Sequence, residues 1–421
     1  MRNALFVIER NSVFVDVTAT LVQPFTTGVQ RVVRAFASQA EVNGAELIAF
    51  DRQADAWYVV ESERLEAGAL PRLIRLGMLR SRRLYEFLAS TSLLNPTRRD
   101  SLIEVGISAR DHLGRIGSPR PHFMRLDSAI PSGRFLMLQP PANNQHDQAV
   151  RRLIKGGMSL RGFVHDTLPL SHPEWFTPRG VDVSLRYVDL MMSAERIATA
   201  SLHVLDELRF QARLVDDQYR PTKTKLGVFP LPASLSAEAS HRESGSIPQF
   251  VMLGSIEPRK NHMTAIEAFV NVLQYFPGAT LNIVGTNGWG SQYGIVKRRA
   301  RQHGKRIRLH RNLEDADVRS IVRESAALIY PSLGEGYGLP VVEALALGTP
   351  VITSNRAPLS DFVRFGGVRL VDPTDMEDLT RAMRDLADPA CNRLYRSDIQ
   401  ICRLPIGWRR WAQNLWRFLT T

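Results

Sequence analysis

Residues 327–348, ALIYPSLGEGYGLPVVEALALG, decide the fold of this 421-residue chain. Ala327–Tyr330 is a short apolar run of strand character, and the segment from Leu333 to Gly348 reads as a glycine loop leading into a short helix. Three alternating glycines, Gly334, Gly336 and Gly338, let the backbone come close to a ligand because no Cβ intervenes. Pro340 near the start and Gly348 just past the end bracket a helix whose free N–H groups face that loop, an arrangement that favours phosphate. Two carboxylates, Glu335 in the loop and Glu343 in the helix, are out of place in a pure anion site. They make sense as acceptors for hydroxyls, one on a sugar and one on a ribose. A turn with a capping glutamate is the plainer alternative.

Working outward, Ala327–Tyr330 is one of five short strand candidates in the second half, with Gln249–Leu253, Leu281–Val284, Ile307–His310 and Val351–Thr353. Helix-length segments separate them, the pattern of a Rossmann-like unit. The first half repeats it with Ser12–Val17, Leu47–Phe50, Phe135–Leu138, Gly162–Val164 and Val188–Met192. The class is therefore α/β with two domains, which suits 421 residues at the usual domain size. Residues 1–232 form the first domain, 233–248 a Ser/Ala-rich linker, 249–405 the second domain and 406–421 a last helix. Residues 62–118 read as a basic, helical insertion in the first domain.

A second candidate site follows the strand Gln249–Leu253, in Gly254-Ser255-Ile256-Glu257-Pro258-Arg259-Lys260-Asn261. Asn261 suits an N-cap, because Met263, Ile266, Phe269, Val270, Leu273 and Phe276 then fall at helical spacing. Two cations just before a helix start oppose the positive end of its dipole unless an anion joins them. A diphosphate would supply that anion, whereas a solvated surface pair is the bland alternative. In the first half, Gly162-Phe163-Val164 runs into His165-Asp166-Thr167, which puts His165 at the C-terminal end of a strand, where open α/β sheets bind ligands. His165 either hydrogen-bonds a sugar or caps its loop. The turn Thr26-Thr27-Gly28 after the first strand could bring backbone N–H groups to a phosphate.

The charge of +12, from 54 basic and 42 acidic residues, points to an anionic partner: nucleic acid, an acidic membrane or a phosphorylated substrate. Basic residues are not interleaved with aromatics on one recognisable module, which sets nucleic acid aside. Neither half carries a dinucleotide fingerprint after an early strand, and no P-loop is present. Asp315-Ala316-Asp317 could suggest a metal site but is more simply a helix start. Cys391 and Cys402 have no metal-binding spacing around them. Glu9, Arg10, Asn11 and Asp16 interrupt the apolar N-terminus, which fails as a signal peptide or a membrane span, so a cytoplasmic setting is expected. In the last segment Trp408, Trp411, Ala412, Leu415 and Leu419 share one helical face, for packing on the first domain or for contact with a membrane interface.

GSIEPRKN at 254–261 and GEGYGLPVVEALALGTPVI at 334–352 resemble the retaining, GT-B-fold glycosyltransferases of family four, also called glycosyl transferases group one. FVHDTLPLSHPEWF at 163–176 and TTGVQRVVRAF at 26–36 are similar to bacterial mannosyltransferases that build O-antigens and exopolysaccharides. The resemblance implies two Rossmann-like domains facing each other across a cleft, with the last helix crossing back. It implies metal-independent transfer from a nucleotide diphosphate sugar, GDP-mannose first, to a saccharide or polyprenyl-diphosphate-linked glycan. Peripheral contact with an anionic membrane goes with such an acceptor. Carried over by motif, Arg259 and Lys260 would bind the diphosphate with Gly28 beneath it, Glu335 the donor sugar and Glu343 the ribose. Gly336, Tyr337, Gly338 and Leu339 would line the donor sugar and nucleotide, and His165 would contact the transferred sugar. Pro358-Leu359-Ser360-Asp361-Phe362 departs from the Leu-Pro-Glu-Val segment that many members have after the next strand.

Overall fold

The computed structural model describes residues 12–22, 28–52, 55–60, 65, 133–215, 224–233, 247–288, 291–405 and 407–421. The 62–118 insertion (apart from Leu65), Thr26, Thr27 and most of the 233–248 linker lie outside these residues.

The first domain holds β1 (Val13–Asp16), β2 (Glu46–Asp51), β3 (Ala56–Val59), β4 (Arg134–Met137), β5 (Ser159–Val164), β6 (Arg196–Thr199) and β7 (Lys225–Val228). They lie in the order β3-β2-β1-β4-β5-β6-β7, all pairs parallel except the antiparallel edge pair β2–β3. The second holds β8 (Gln249–Leu253), β9 (Thr280–Val284), β10 (Ile307–His310), β11 (Ala327–Tyr330), β12 (Val351–Ser354) and β13 (Val368–Val371). These are all parallel, in the order β10-β9-β8-β11-β12-β13. Strand order reverses at β1/β4 in one sheet and at β8/β11 in the other. A doubly wound sheet opens a crevice at such a switch point, outside the strand C-termini. Both domains are Rossmann-like, as the alternating pattern implied.

One strand expectation fails. Val188–Met192 ends a helix, Pro178–Met191, rather than forming a strand. Thr177 caps that helix by accepting from the Gly180 N–H, and Pro178 suits its first position. Tyr187, Val188, Leu190 and Met191 are buried where the helix end docks on the sheet. A contiguous apolar run does not distinguish that end from a strand. The actual next strand, β6, is only Arg-Ile-Ala-Thr.

The last helix, Trp408–Thr420, buries Trp411, Ala412, Leu415 and Leu419. Its stripe is spent on packing against the first domain. The Trp416 ring lies 5.9 Å from Phe36, the Trp411 indole N–H donates to the Phe229 carbonyl at 3.2 Å, and Arg161 donates to the Leu419 carbonyl at 2.6 Å. Val15, Val33 and Phe36 of the first domain and Leu339 and Val341 of the second fall in one continuous apolar cluster with this helix.

Candidate active site

The second-domain wall is built by the segments that leave β8 and β11. Lys260 ends a short 3-10 turn, Pro258–Lys260, and Glu335 lies in the loop after β11. The Glu335 carboxylate stands 2.7 Å from Arg259 Nη1 and 2.5 Å from Lys260 Nζ, and it accepts from the Tyr330 hydroxyl at 2.9 Å. Arg259 Nε also lies 3.1 Å from Glu257, whose other oxygen accepts from Ser255. Glu335 is 7% exposed and Lys260 8%. Burial alone would raise the Glu335 carboxyl, but the charges of Arg259 and Lys260 outweigh it and hold the group at about 2. Burial lowers the Lys260 ammonium despite Glu335. Arg259 is pushed above its ordinary value, because Glu335 and Glu257 more than offset its burial. The anion expected beside the two cations is therefore present in the chain itself, and any diphosphate must share them with Glu335.

Asn261 stands at the start of the His262–Val272 helix but does not cap it. Its φ is 57°, and its side chain makes no cap hydrogen bond. Nδ2 donates instead to the Pro373 carbonyl at 2.6 Å, and Oδ1 accepts from the Thr264 hydroxyl at 2.6 Å. The side chain is spent on pinning the cation turn to the neighbouring loop. The predicted N-cap is corrected accordingly.

The facing wall comes from the first domain. His165 follows β5, and its Nε2 is 2.7 Å from the Leu138 carbonyl after β4. A carbonyl only accepts, so Nε2 carries the proton and Nδ1 is left as an acceptor. Burial lowers the ring to about 4 despite that hydrogen bond, so it is neutral near pH 7. Asp166, not His165, caps the following turn by accepting from the Leu168 N–H at 3.2 Å. Burial raises the Asp166 carboxyl, opposed by Arg259 across the cleft. The walls touch here: Ser201 Oγ donates to the Gly336 carbonyl at 2.8 Å, and a Cβ on Gly336 would collide with the His165 carbonyl. Only glycine fits that approach.

Because the ordinary histidine value is 6.5, an unfolded chain takes up this proton first as the pH falls. The contribution to stability is whole above pH 6.5 and is lost on the way down to about pH 4. His165→Gln should therefore show a shallower loss of thermal stability across that window than the parent. Superimposable pH profiles of melting temperature would contradict it.

Gly338, at φ 108°, starts the Leu339–Ala346 helix and packs on Leu359 and Phe362, so the divergent 358–362 segment buttresses the glycine loop. The Tyr337 ring lies edge-on to Phe362 at 5.4 Å. Gly28 starts the Gly28–Val42 helix, and a Cβ there would stand 3.9 Å from Leu339. Two helix N-termini thus meet across the cleft. Glu343 of one pairs with Arg31 of the other at 2.6 Å. Arg31 and Asp166 escaped the sequence reading, since nothing in local spacing marks a contact made across a cleft. Asp315 and Asp317 lie in the first turn of the Asp315–Glu324 helix, as its reading as a helix start required.

Residues 236–395 match the family described as glycosyl transferases group 1. The serotype-specific mannosyltransferase WbdA of Escherichia coli is 31% identical over 207 residues, 45% of this chain and 25% of that protein. O-antigen chain mannosyltransferase B of Escherichia coli is 31% identical over 135 residues, 30% of this chain and 34% of that one. Glycogen synthase of Mycobacterium tuberculosis is 32% identical over 157 residues, 36% and 37% of the two chains. The match to WbdA spans only about a quarter of that protein's length. In fold, sucrose-phosphate synthase of Thermosynechococcus elongatus superposes with a TM-score of 0.60 at 17% identity, over 97% of this chain and 98% of that one. Anabaena HepE, solved with UDP and glucose, gives 0.60 at 14% identity over 98% and 100%. The chain has the two-domain GT-B fold.

Proposed function

We infer that this GT-B-fold chain, whose residues 236–395 match glycosyl transferases group 1, is a retaining glycosyltransferase using a nucleotide diphosphate sugar. The observation that carries this reading is the buried Arg259–Lys260–Glu335 cluster at the β8/β11 switch point, facing His165 across the cleft. Charge accumulates on the diphosphate as the bond to the sugar breaks, and cations fixed beforehand stabilise it without reorganising. Glu335, tied to two cations and held at about 2, is a poor nucleophile and cannot donate a proton near neutrality. Its remaining capacity is to accept hydrogen bonds from donor-sugar hydroxyls. The acceptor oxygen then attacks from the face the diphosphate leaves, and the leaving phosphate takes its proton. Attack on the face the diphosphate leaves retains the configuration, and no protein nucleophile is needed. His165, neutral, serves as a hydrogen-bond partner of the transferred sugar and not as an acid.

The likeness to O-antigen mannosyltransferases supports mannose as the transferred sugar and a place in cell-surface polysaccharide synthesis; the donor we propose is GDP-mannose and the acceptor a saccharide or lipid-linked saccharide. The setting is the cytoplasmic face of the membrane, with metal-independent chemistry. The membrane contact proposed is peripheral; among the described residues no helix is long and apolar enough to cross a membrane.

A melting-temperature screen tests the donor. A ligand at a hundredfold excess over its Kd stabilises the folded state by about 2.7 kcal/mol. GDP is expected to raise the melting temperature more than UDP or dTDP, and GDP-mannose to be consumed only with an acceptor, giving the α product. A larger shift with UDP reassigns the donor, and no shift with any of the three overturns the reading.

A further inference from the structure

We propose that Arg31 is a positioning residue of the donor site. Presented by the first domain, it holds the Glu343 carboxylate of the second in place to accept a ribose hydroxyl. Recognition of the ribose is then complete only when the two domains are together. The proposal rests on reading Glu343 as the ribose acceptor.

Arg31 Nη1 lies 2.6 Å from Glu343 Oε1, with the two side chains 33% and 23% exposed. A partly exposed ion pair adds little to adhesion between domains, so its value lies in geometry. A carboxylate offers about four acceptor sites, so the contact at Oε1 leaves capacity for a ribose hydroxyl. Burial pushes the Glu343 carboxyl up, and Arg31 pulls it back toward the ionised state that accepts hydrogen bonds best. Asp315 and Arg319 bear on the same carboxyl from the Asp315–Glu324 helix, with opposite signs.

Arg31 is itself held in place. Its guanidinium lies over the Trp408 ring at 5.9 Å, on the helix that crosses between the domains. A Cβ added at Gly28, three residues before it, would stand 3.9 Å from Leu339 at the start of the Glu343 helix, so the two segments run close together. On the far side of the glycine loop, Ser201 grips the Gly336 carbonyl. First-domain groups therefore hold both ends of the segment from Gly336 to Glu343.

The test is a binding cycle on the full chain. Calorimetry gives Kd for the nucleoside diphosphate chosen by the melting screen and for its 2′,3′-dideoxy form, with wild type, Glu343→Gln, Arg31→Gln, Arg31→Lys and the Arg31→Gln/Glu343→Gln double variant. Glu343→Gln should weaken the ribonucleotide about tenfold, the usual effect of losing a hydrogen bond to a charged group, and leave the dideoxy form unchanged. Arg31→Gln should weaken the ribonucleotide several-fold, again sparing the dideoxy form, with Arg31→Lys recovering part of the loss. The double variant should bind no worse than Glu343→Gln. Equal weakening of both nucleotides by Arg31→Gln, or none, overturns the proposal while the ribose role of Glu343 stands. If Glu343→Gln does not distinguish the two nucleotides, the ribose role falls and the proposal with it. An unchanged melting temperature for Arg31→Gln excludes loss of fold as the cause.

Discussion

Lys260→Ala is expected to cut turnover at saturating donor by about 10²–10³-fold, the cost of removing one preorganised group that stabilises developing negative charge. Lys260 Nζ reaches both the Tyr330 hydroxyl and Glu335 at 2.5 Å from a buried position at the C-terminal edge of the second sheet. Losing it leaves Glu335 paired with Arg259 at 2.7 Å and hydrogen-bonded to Tyr330 at 2.9 Å, so the loop keeps its shape. The effect should therefore fall on kcat, with circular dichroism and cooperative melting preserved. Turnover within about threefold of wild type would remove Lys260 from the site.

Glu335→Gln should do the reverse to stability. It leaves Arg259 and Lys260 buried without this counter-charge, and breaking a buried pair costs about 3–5 kcal/mol. The folded carboxyl sits at about 2 against an ordinary 4.5, so its contribution is present above pH 4.5 and is lost as the pH falls toward 2. Above pH 4.5 the variant should melt well below wild type, and the gap should close as the pH drops through that window. A nucleoside diphosphate returns negative charge to the same cations, so it should raise the melting temperature of Glu335→Gln more than that of wild type. Transfer itself should be lost, because the amide cannot replace a carboxylate on the sugar. A variant as stable as wild type at pH 7, with a smaller nucleotide shift, would refute the account of Glu335 as the counter-ion of the site.

Much of this site was legible in one dimension because its parts are local. The Gly334–Gly338 loop, Pro340 and Glu343 fall within ten residues, and Arg259–Lys260 directly precede a helix of clear periodicity. Glycine spacing, helix signals and misplaced charges are short-range, so they are written in adjacent residues. The strand error at Val188–Met192 has the same origin: over five apolar residues, strand and buried helix end look alike. Asn261 shows a different gap. An asparagine before a helix suggests a cap, but carbonyls from Pro331 and Pro373, distant in sequence, took its amide.

The sequence by itself determined the α/β class, two Rossmann-like units, the packing stripe of the last helix and the glycine loop with its acids and cations. These follow from periodicity and from the backbone freedom of particular residues, which each segment carries alone. Only the tertiary structure decided that Glu335 pairs with both Arg259 and Lys260, that His165 spends Nε2 on the Leu138 carbonyl, and that Arg31 meets Glu343. Those are contacts between groups far apart in the chain, and their partners are chosen by where the two sheets reverse order and face each other.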